Sequence, residues 1–324
     1  MSYNKEDYVR IKAEFSTKYL AAQNRANERK LELYAKIPEV RRIDAVLSRT
    51  GLDIMGVITG GGSEKEIAEL RARNEGLLKE RAALLCANGY AEDYSDVHYE
   101  CEACGDTGFV DTKMCACMKR ALVEAGYESS GIGALIQTQS FDNFSLEYYK
   151  AGEGNVEAMQ MAVSGLRRFA EDFERDTYRN YLLIGRTGLG KTHLSTAVAK
   201  TVIERGFDVL YVTAVDLFRD FEYKQFGKGL GMKNDTDRYL GADLLIIDDL
   251  GTEMNNQFTV SCLYDVINSR INNRRSTFIN TNLAFKDLES RYHERITSRL
   301  LGEYYPILFK GTDIRKQKIC SNGS

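Results

Sequence analysis

The segment from Gly185 to Thr192 constrains the fold of this chain more than any other part of its sequence. It reads Gly-Arg-Thr-Gly-Leu-Gly-Lys-Thr and matches the pattern G-x-x-x-x-G-K-S/T at every fixed position. An apolar run, Tyr181–Ile184, directly precedes it, and a stretch of helical character from His193 to Arg205 follows. A short strand, a glycine-rich loop and a helix in this order predict a phosphate-binding loop within a parallel α/β sheet.

The residue types in this segment indicate how it would hold a nucleotide. Glycines let backbone N–H groups curl around phosphates, and the helix N-terminus adds partial positive charge. We expect Lys191 to reach the β- and γ-phosphates and Thr192 to coordinate Mg²⁺ through its hydroxyl. The predicted nucleotide-binding residues are Gly185, Arg186, Thr187, Gly188, Leu189, Gly190, Lys191 and Thr192.

A second apolar run, Leu244–Ile247, ends in two carboxylates, Asp248 and Asp249. We expect Asp248 to be the second Mg²⁺ partner, acting through water. Asp249 occupies the position of a base that orients the attacking water. Many hydrolytic relatives carry the longer Glu there, so the expected activity is a slow P-loop ATPase. A solvated strand end is the alternative for this pair.

Two further strands refine the predicted class. Val209–Val212 lies in sequence between Lys191 and Asp248, which favours the branch of P-loop ATPases that adds a central strand. No guanine-selecting N-K-x-D motif occurs, so ATP is preferred to GTP. The strand Thr277–Ile279 is followed by Asn280, Thr281 and Asn282. Asn282 and Thr281 are candidates for positioning water near the γ-phosphate, with a polar turn as the alternative.

Three arginines near the end of the chain are candidate nucleotide contacts. Arg295 and Arg299 are four positions apart, so they share one helix face. An arginine offered in trans to the γ-phosphate of a neighbouring subunit would couple assembly to ATP state. Surface ion pairs are the alternative. Arg315 is a weaker candidate for sensing nucleotide.

Four of the chain's seven cysteines cluster within a short stretch: Cys101, Cys104, Cys115 and Cys117. Four thiolates suit tetrahedral Zn²⁺ in a closed structural site, and Gly105 and Gly108 supply turns between the two pairs. The C-x-C spacing of the second pair is tighter than the usual C-x-x-C. An iron–sulfur cluster, free thiols and a redox dithiol at the first pair remain alternatives.

The first 97 residues are predicted to be helical. Pro38 suits the first turn of a helix, Gly51 is expected to end that helix, and Gly60–Gly62 is expected to be a flexible break. Ser63 and Glu66 form a capping-box pattern that opens another helix. The predicted division is a helical partner-docking region at 1–97, a zinc module at 98–127 and an ATPase domain at 128–324.

Composition limits the remaining possibilities. The chain has 324 residues and a net charge of −3, and it contains no run of about 18 apolar residues that would cross a membrane. Its polar N-terminus is unlike a signal peptide, so the expected location is the cytoplasm. Between residues 218 and 229, aromatic residues alternate with basic residues, a pattern that suits single-stranded DNA. An amphipathic helix with buried aromatics is the alternative.

Taken together, the motifs resemble those of bacterial replicative helicase loaders of the DnaC/DnaI type, in the AAA+ class, and of the related IstB transposition ATPases. The resemblance covers roughly residues 140–318. It is carried by the segments Gly185–Leu194, Leu244–Glu253, Asn280–Leu283, Glu294–Leu300 and Gly311–Arg315.

The resemblance implies an AAA+ domain that binds ATP and single-stranded DNA and assembles head to tail. It also implies docking of the hexameric helicase through the N-terminal part, which resembles more loosely the zinc-bearing helicase-binding region of some loaders. By position, Arg299 is then the best arginine-finger candidate and Arg295 the next. An IstB-like transposition helper ATPase and a nucleotide-gated binding module with little hydrolysis are the alternative functions.

Overall fold

The computed structural model describes residues 3–59, 63–149, 156–226 and 236–321. The described chain separates into two compact units. Residues 12–118 form one, and the other consists of the first residues of the chain together with everything from Lys119 onward. The finer division at residues 97 and 127 remains a prediction.

The N-terminal part is helical, as predicted, with α1 at Lys5–Lys36, α2 at Pro38–Thr59 and α3 at Glu64–Ala87. Pro38 is the first residue of α2, where its missing N–H costs nothing. The predicted capping box is confirmed, because Ser63 Oγ accepts from Glu66 N at 3.3 Å and Glu66 Oε2 accepts from Ser63 N at 3.0 Å. Leu33, Ile37, Val40 and Leu85 form a small apolar core of this unit.

The expectation that Gly51 ends a helix is wrong, because α2 continues to Thr59. A glycine inside a helix costs only about 1 kcal/mol, which the rest of a long helix can offset. The predicted flexible break, Gly60–Gly62, lies outside the described residues. After α3, a short antiparallel hairpin follows, with β1 at Phe109–Val110 and β2 at Lys113–Met114.

The larger unit contains a five-stranded sheet in which every neighbouring pair is parallel, so the predicted α/β class is confirmed. The strands are β3 (Asn180–Ile184), β4 (Val209–Thr213), β5 (Leu244–Leu250), β6 (Ser276–Thr281) and β7 (Tyr304–Leu308). Their order across the sheet is β4-β5-β6-β3-β7. Strand β6 therefore lies between the strand that leads into the glycine-rich loop and the strand that carries Asp248 and Asp249.

Helices cover both faces of this sheet, and the alternation of side chains along each strand explains why. On β3, Leu183 faces the core that includes Leu194 and Val198 of the helix Lys191–Glu204, whereas Leu182 faces the core that includes Leu263 of the helix Gln257–Asn272. All residues of β3 and β6 are buried, as expected for central parallel strands. The larger helices and the short turns are α4 (Ala116–Ser129), α5 (Leu135–Thr138), a 3₁₀ turn (Leu146–Tyr149), α6 (Val156–Glu171), α7 (Lys191–Glu204), α8 (Ala214–Phe226), α9 (Asp237–Gly241), α10 (Gln257–Asn272), α11 (Phe285–Glu303) and α12 (Ile314–Ser321).

Candidate nucleotide site and cysteine cluster

The glycine-rich loop lies where the sequence predicts, between the end of β3 at Ile184 and the start of α7 at Lys191. Gly188 and Gly190 have φ angles of 80° and 88°, which L side chains rarely adopt. A Cβ atom at Gly188 would also lie 2.1 Å from Asp313 Oδ1. The backbone conformation therefore favours glycine at this position, and a side chain there would also displace the Asp313 carboxylate.

Lys191 points back into the loop that precedes it. Its Nζ donates to Gly185 O at 2.6 Å, Arg186 O at 3.0 Å and Asn282 Oδ1 at 2.6 Å. Burial lowers the pKa of Lys191. The structure thus brings together two predicted site residues, Lys191 and Asn282, that are far apart in sequence, and it places a cation beside the backbone that would surround a phosphate.

Asp248 lies beside Thr192, as the proposed Mg²⁺ site requires. Asp248 Oδ2 accepts from Thr192 Oγ1 at 3.1 Å and also from the hydroxyl of Tyr211. Asp248 Oδ1 accepts from Asn280 Nδ2 at 2.8 Å and from Asp249 N at 3.1 Å. Hydroxyl and carboxylate oxygens are hard donors of the kind that Mg²⁺ prefers, so Thr192 and Asp248 fit this ion chemically.

Sequence reasoning missed two of these partners, Tyr211 and Asn280. Tyr211 is on β4, where Thr213 pairs with Asp248, so Tyr211 is the diagonal neighbour of Asp248 on the same face of the sheet. Asn280 is a fully buried amide that directly follows Phe278 and Ile279 on β6, and its position at the end of a predicted strand is visible in the sequence. The strand register that places Tyr211 beside the Asp248 carboxylate is not visible in the sequence.

Asp249 differs from Asp248 in its backbone and its exposure. The pairing of β5 with β6 is irregular between Ile247 and Leu250, and Asp249 has a φ of 54°. This irregularity turns Asp249 outward, where it accepts from Asn282 Nδ2 at 3.4 Å. Partial burial, and then the neighbouring Asp248 carboxylate, raise the pKa of Asp249. The arrangement gives one enclosed carboxylate and one that can reach a solvent molecule.

Two further segments complete a cleft of about 410 Å³ around the loop. From one side, the hydroxyl of Tyr149 donates to Leu189 O at 2.5 Å, and Phe144 and Tyr148 line the wall. From the other side, Ile314 N donates to Gly188 O at 2.9 Å, and Arg315 lines the cleft. The sequence indicated Arg315 but gave no reason to place the aromatic segment here.

The two arginine-finger candidates lie elsewhere. Arg299 donates to Tyr264 OH at 2.9 Å and to Asn268 Oδ1 at 3.0 Å, and its guanidinium stands 4.6 Å from the Tyr264 ring centre. Arg295 is exposed and lines a separate cleft of about 590 Å³ between α10 and α11. Neither arginine is among the described residues that line the nucleotide cleft, so a role in trans remains a prediction for both.

The four predicted metal ligands, Cys101, Cys104, Cys115 and Cys117, come together in the smaller unit. Their sulfur atoms all lie within 4.8 Å of one another, with 3.8 Å between the first and third and 3.5 Å between the second and fourth. A tetrahedral ion with Zn–S bonds of 2.3 Å needs sulfur–sulfur distances of about 3.8 Å. The cluster therefore fits zinc.

The backbone around the cluster is held by a carboxylate. Asp106 accepts from Glu100 N at 2.9 Å and from Cys101 N at 2.8 Å. A hydrogen bond from the backbone of Cys104 lowers the pKa of the Cys101 thiol to about 7, whereas burial raises the pKa values of Cys104 and Cys117. A bound metal ion would favour the thiolate form of all four cysteines. His98 is outside the cluster and lies 3.8 Å from Asp93.

Helix α8 contains the start of the aromatic and basic segment; it packs two aromatic side chains internally and leaves Tyr223 61% exposed. Phe218 is buried, and Phe221 packs against Tyr239 with ring centres 5.6 Å apart. Arg219 pairs with Asp216, and Lys224 pairs with Asp237. These contacts favour the amphipathic-helix alternative for the described part of the segment. Lys228 and Gly229 lie outside the described residues.

Membrane insertion through a helix has no support in the described part of the chain, where no helix is both long and apolar enough to span a bilayer.

A strand, a glycine-rich loop and a helix that hold Lys191 and Thr192 beside Asp248 define a P-loop nucleoside triphosphate-binding protein. Within that class, residues 152–307 match the family described as IstB-like ATP binding protein. The chain therefore carries an IstB-like ATP-binding domain.

The curated proteins similar to this chain include two that are named as replicative helicase loaders. The chain is 28% identical to the replicative helicase loader DnaC of Buchnera aphidicola subsp. Acyrthosiphon pisum, over 58% of this chain and 73% of that protein. It is 25% identical to the replicative helicase loader DnaC of Escherichia coli K12, over 59% of this chain and 75% of that protein. The crystal structure of the DnaC helicase loader aligns at 22% identity with a TM-score of 0.45, covering 55% of this chain and 100% of that one.

Proposed function

We propose that this protein is an ATP-dependent loader of a replicative DNA helicase, acting in the cytoplasm. The observation that carries the proposal is the convergence of Lys191, Thr192, Asp248 and Asn282 at one edge of the sheet. These are the groups that ATP·Mg²⁺ binding requires. The similarity to proteins named as replicative helicase loaders supports the choice of partner.

In the proposed cycle, Lys191 holds the β- and γ-phosphates, and Thr192 and Asp248 hold the magnesium ion, which neutralises phosphate charge when it is bound. Asp249 orients the attacking water, with Asn282 beside it at 3.4 Å. A general base works best with a pKa near the working pH, and the raised pKa of Asp249 moves it in that direction. Its short side chain supports slow hydrolysis.

The remaining parts of the proposal concern partners. The helical region and the four-cysteine cluster dock the hexameric helicase, and the cluster binds Zn²⁺ as a structural ion. The ATPase domain contacts single-stranded DNA and self-associates, with Arg299 or Arg295 reaching the ATP of a neighbouring subunit. The exposed guanidinium of Arg295 supports that residue over Arg299, which is already bonded within its own chain.

The test combines partner capture with turnover. Full-length protein with ATP·Mg²⁺ is expected to capture the replicative helicase of the host, and ATP hydrolysis is expected to exceed that of Lys191→Ala. Transfer of the helicase onto single-stranded DNA should require ATP and should fail with Lys191→Ala. Failure of the wild-type protein to capture the helicase would contradict the loader proposal.

The family match favours a transposition helper as the second candidate, because the matching family is described as IstB-like. In that case, the protein would bind a transposase and not a helicase, so a transposase is the second bait in the same capture experiment. If turnover by the wild-type protein equals that of Lys191→Ala while ATP still binds, the chain is a nucleotide-gated binding module.

A further inference from the structure

A buried carboxylate lies between the nucleotide cleft and the helix that carries the two candidate arginines. It belongs to Glu253, which follows the end of β5, and its side chain is only 3% exposed. A buried carboxylate is strongly disfavoured unless charge and hydrogen bonds compensate it. The two oxygens of Glu253 obtain that compensation from two different elements.

The first oxygen faces the end of β5. Glu253 Oε2 accepts from Gly251 N at 2.8 Å, and Gly251 has a φ of 107° that suits only glycine. The same turn is tied to the candidate base, because Thr252 N and Thr252 Oγ1 both donate to Asp249 O, at 3.2 and 2.9 Å. One end of the carboxylate is thus bonded to the turn that fixes the backbone of Asp249.

The second oxygen faces α11. Glu253 Oε1 accepts from Tyr292 OH at 2.5 Å and from Arg291 Nε and Nη2, both at 3.2 Å. Arg291 Nη2 also donates to the backbone oxygen of Glu253. Tyr292 is fully buried. The other end of the carboxylate is therefore bonded to two consecutive residues of one helix.

These two residues stand directly before an interruption in α11. His293 has φ 61° and ψ 160°, far from helical values, so α11 is two helical segments joined at this residue. Arg295 and Arg299 lie on the segment that follows. The direction of that segment is set by the residues on either side of the kink, and Arg291 and Tyr292 are held by Glu253.

We propose that Glu253 is a positioning residue that links the nucleotide-dependent state of the β5 turn to the kinked segment of α11 carrying Arg295 and Arg299. The inference rests on the proposed ATP site. If the turn after Asp249 shifts, Arg291 and Tyr292 shift with it, because a separation would leave a buried charge and its donors unpaired.

The substitution Glu253→Gln tests this link with little change in shape. An amide has one acceptor oxygen, so it can accept from Gly251 N or from Arg291, but not from both, and towards Tyr292 its NH₂ group can only donate. Tyr292→Phe is the second variant, because it removes one donor at the α11 end only.

Asp243→Asn provides a matched control. Asp243 is also buried, at 4% exposure, and it also uses its oxygens for one arginine and one backbone N–H, from Arg275 at 2.5 Å and Asp208 at 3.1 Å. It stands just before β5, at the opposite end of the strand from the cleft. The control therefore removes a similar interaction without touching the proposed link.

The measurement is hydrogen exchange of the full-length protein with and without ADP·Mg²⁺. In the wild type and in Asp243→Asn, we expect the nucleotide to slow exchange in residues 185–194 and to change it in residues 294–303. In Glu253→Gln and Tyr292→Phe, we expect the first effect to persist, with affinity within about twofold of wild type, and the second to be lost.

Each other outcome is decisive. No effect in residues 185–194 of the wild type contradicts the proposed nucleotide site itself. If the nucleotide changes exchange in residues 185–194 of the wild type but not in residues 294–303, the proposed link is wrong. The link is also wrong if residues 294–303 of both Glu253→Gln and Tyr292→Phe respond to the nucleotide as they do in the wild type. If Glu253→Gln also loses the effect in residues 185–194 and Tyr292→Phe behaves as wild type, Glu253 serves nucleotide binding and the positioning role is wrong.

Discussion

At the scale of single residues, Lys191 sits where burial disfavours its charge, and carbonyl and amide oxygens compensate it. Such a cation gains most when a phosphate joins those oxygens as a partner. The burial that lowers the pKa of Lys191 would therefore also strengthen its attraction to a bound anion.

Replacing Lys191 by alanine should weaken nucleotide binding strongly without unfolding the protein. The substitution removes the charged donor to Asn282 Oδ1, while the buried Asp248 carboxylate keeps its hydrogen bonds from Thr192, Tyr211 and Asn280. We expect the affinity for a fluorescent ATP analogue to fall by about 100-fold, or about 2.7 kcal/mol. Lys200→Ala, on the same helix α7, is the control and should bind as wild type. Equal affinities of the two variants would refute the assigned role.

Asp249 allows a prediction about both length and pH. Asp249→Asn should bind ATP normally but lose hydrolysis, whereas Asp249→Glu, which reaches one methylene further, should hydrolyse ATP several-fold faster. Only the carboxylate can accept a proton from water. In the wild type, kcat should therefore fall as the pH drops through the pKa of Asp249, which lies above the usual value for Asp. A kcat that is insensitive to all three changes would exclude Asp249 as the base.

A site residue can be predicted from the sequence when the pattern that marks it lies in its own stretch of chain. Lys191 and Thr192 belong to a loop motif that follows one apolar strand, and Asp248 follows another apolar run. Parallel strands bring their carboxyl ends to one edge, so the meeting of these residues could be predicted. Tyr211 could not, because its contact with Asp248 depends on the register between β4 and β5. Its sequence neighbourhood is that of an ordinary buried strand.

At the scale of elements, the segment Gly311–Arg315 closes against the glycine-rich loop although it comes from the far end of the chain. Ile314 N donates to Gly188 O, and Asp313 occupies the space where a side chain at residue 188 would lie. The helix that follows, α12, begins at this contact. No local pattern in the sequence indicates this contact. The error at Gly51 has the same cause. The local sequence pattern does not show whether a glycine ends a helix, and α2 continues through Gly51 to Thr59.

Gly188→Ala should destabilise the protein and weaken nucleotide binding. The new Cβ meets the Asp313 carboxylate, and the φ of 80° is strained for alanine, which together should cost about 1–3 kcal/mol. Gly165→Ala, within α6, is the matched control, because nothing lies within 4 Å of the added Cβ. It should raise stability by up to about 1 kcal/mol. Thermal unfolding of both variants checks the prediction, and an equal response would contradict it.

At the scale of the whole molecule, the two compact units divide the proposed chemistry between them. The four cysteines lie in one, and the nucleotide cleft lies in the other. The cysteines of the smaller unit lie in a stretch whose two strands are only two residues long each, so a structural metal would add stability there. Loss of the metal should then leave nucleotide binding unchanged.

Purified protein should contain about one zinc per chain, and a chelator that removes it should abolish helicase capture while leaving ATP binding unchanged. The reason is that the four thiols, whose sulfur atoms lie within 4.8 Å of one another, lose the metal bonds that hold them together, so the loop that carries them should unfold locally. Cys104→Ser should reproduce the chelator's effect. Cys86→Ser, which changes an exposed cysteine outside the cluster, should behave as wild type. Zinc content by atomic absorption, helicase capture and ATP-analogue binding are measured on the same samples. Capture that survives complete zinc removal would show that docking depends on the helices α1–α3 alone.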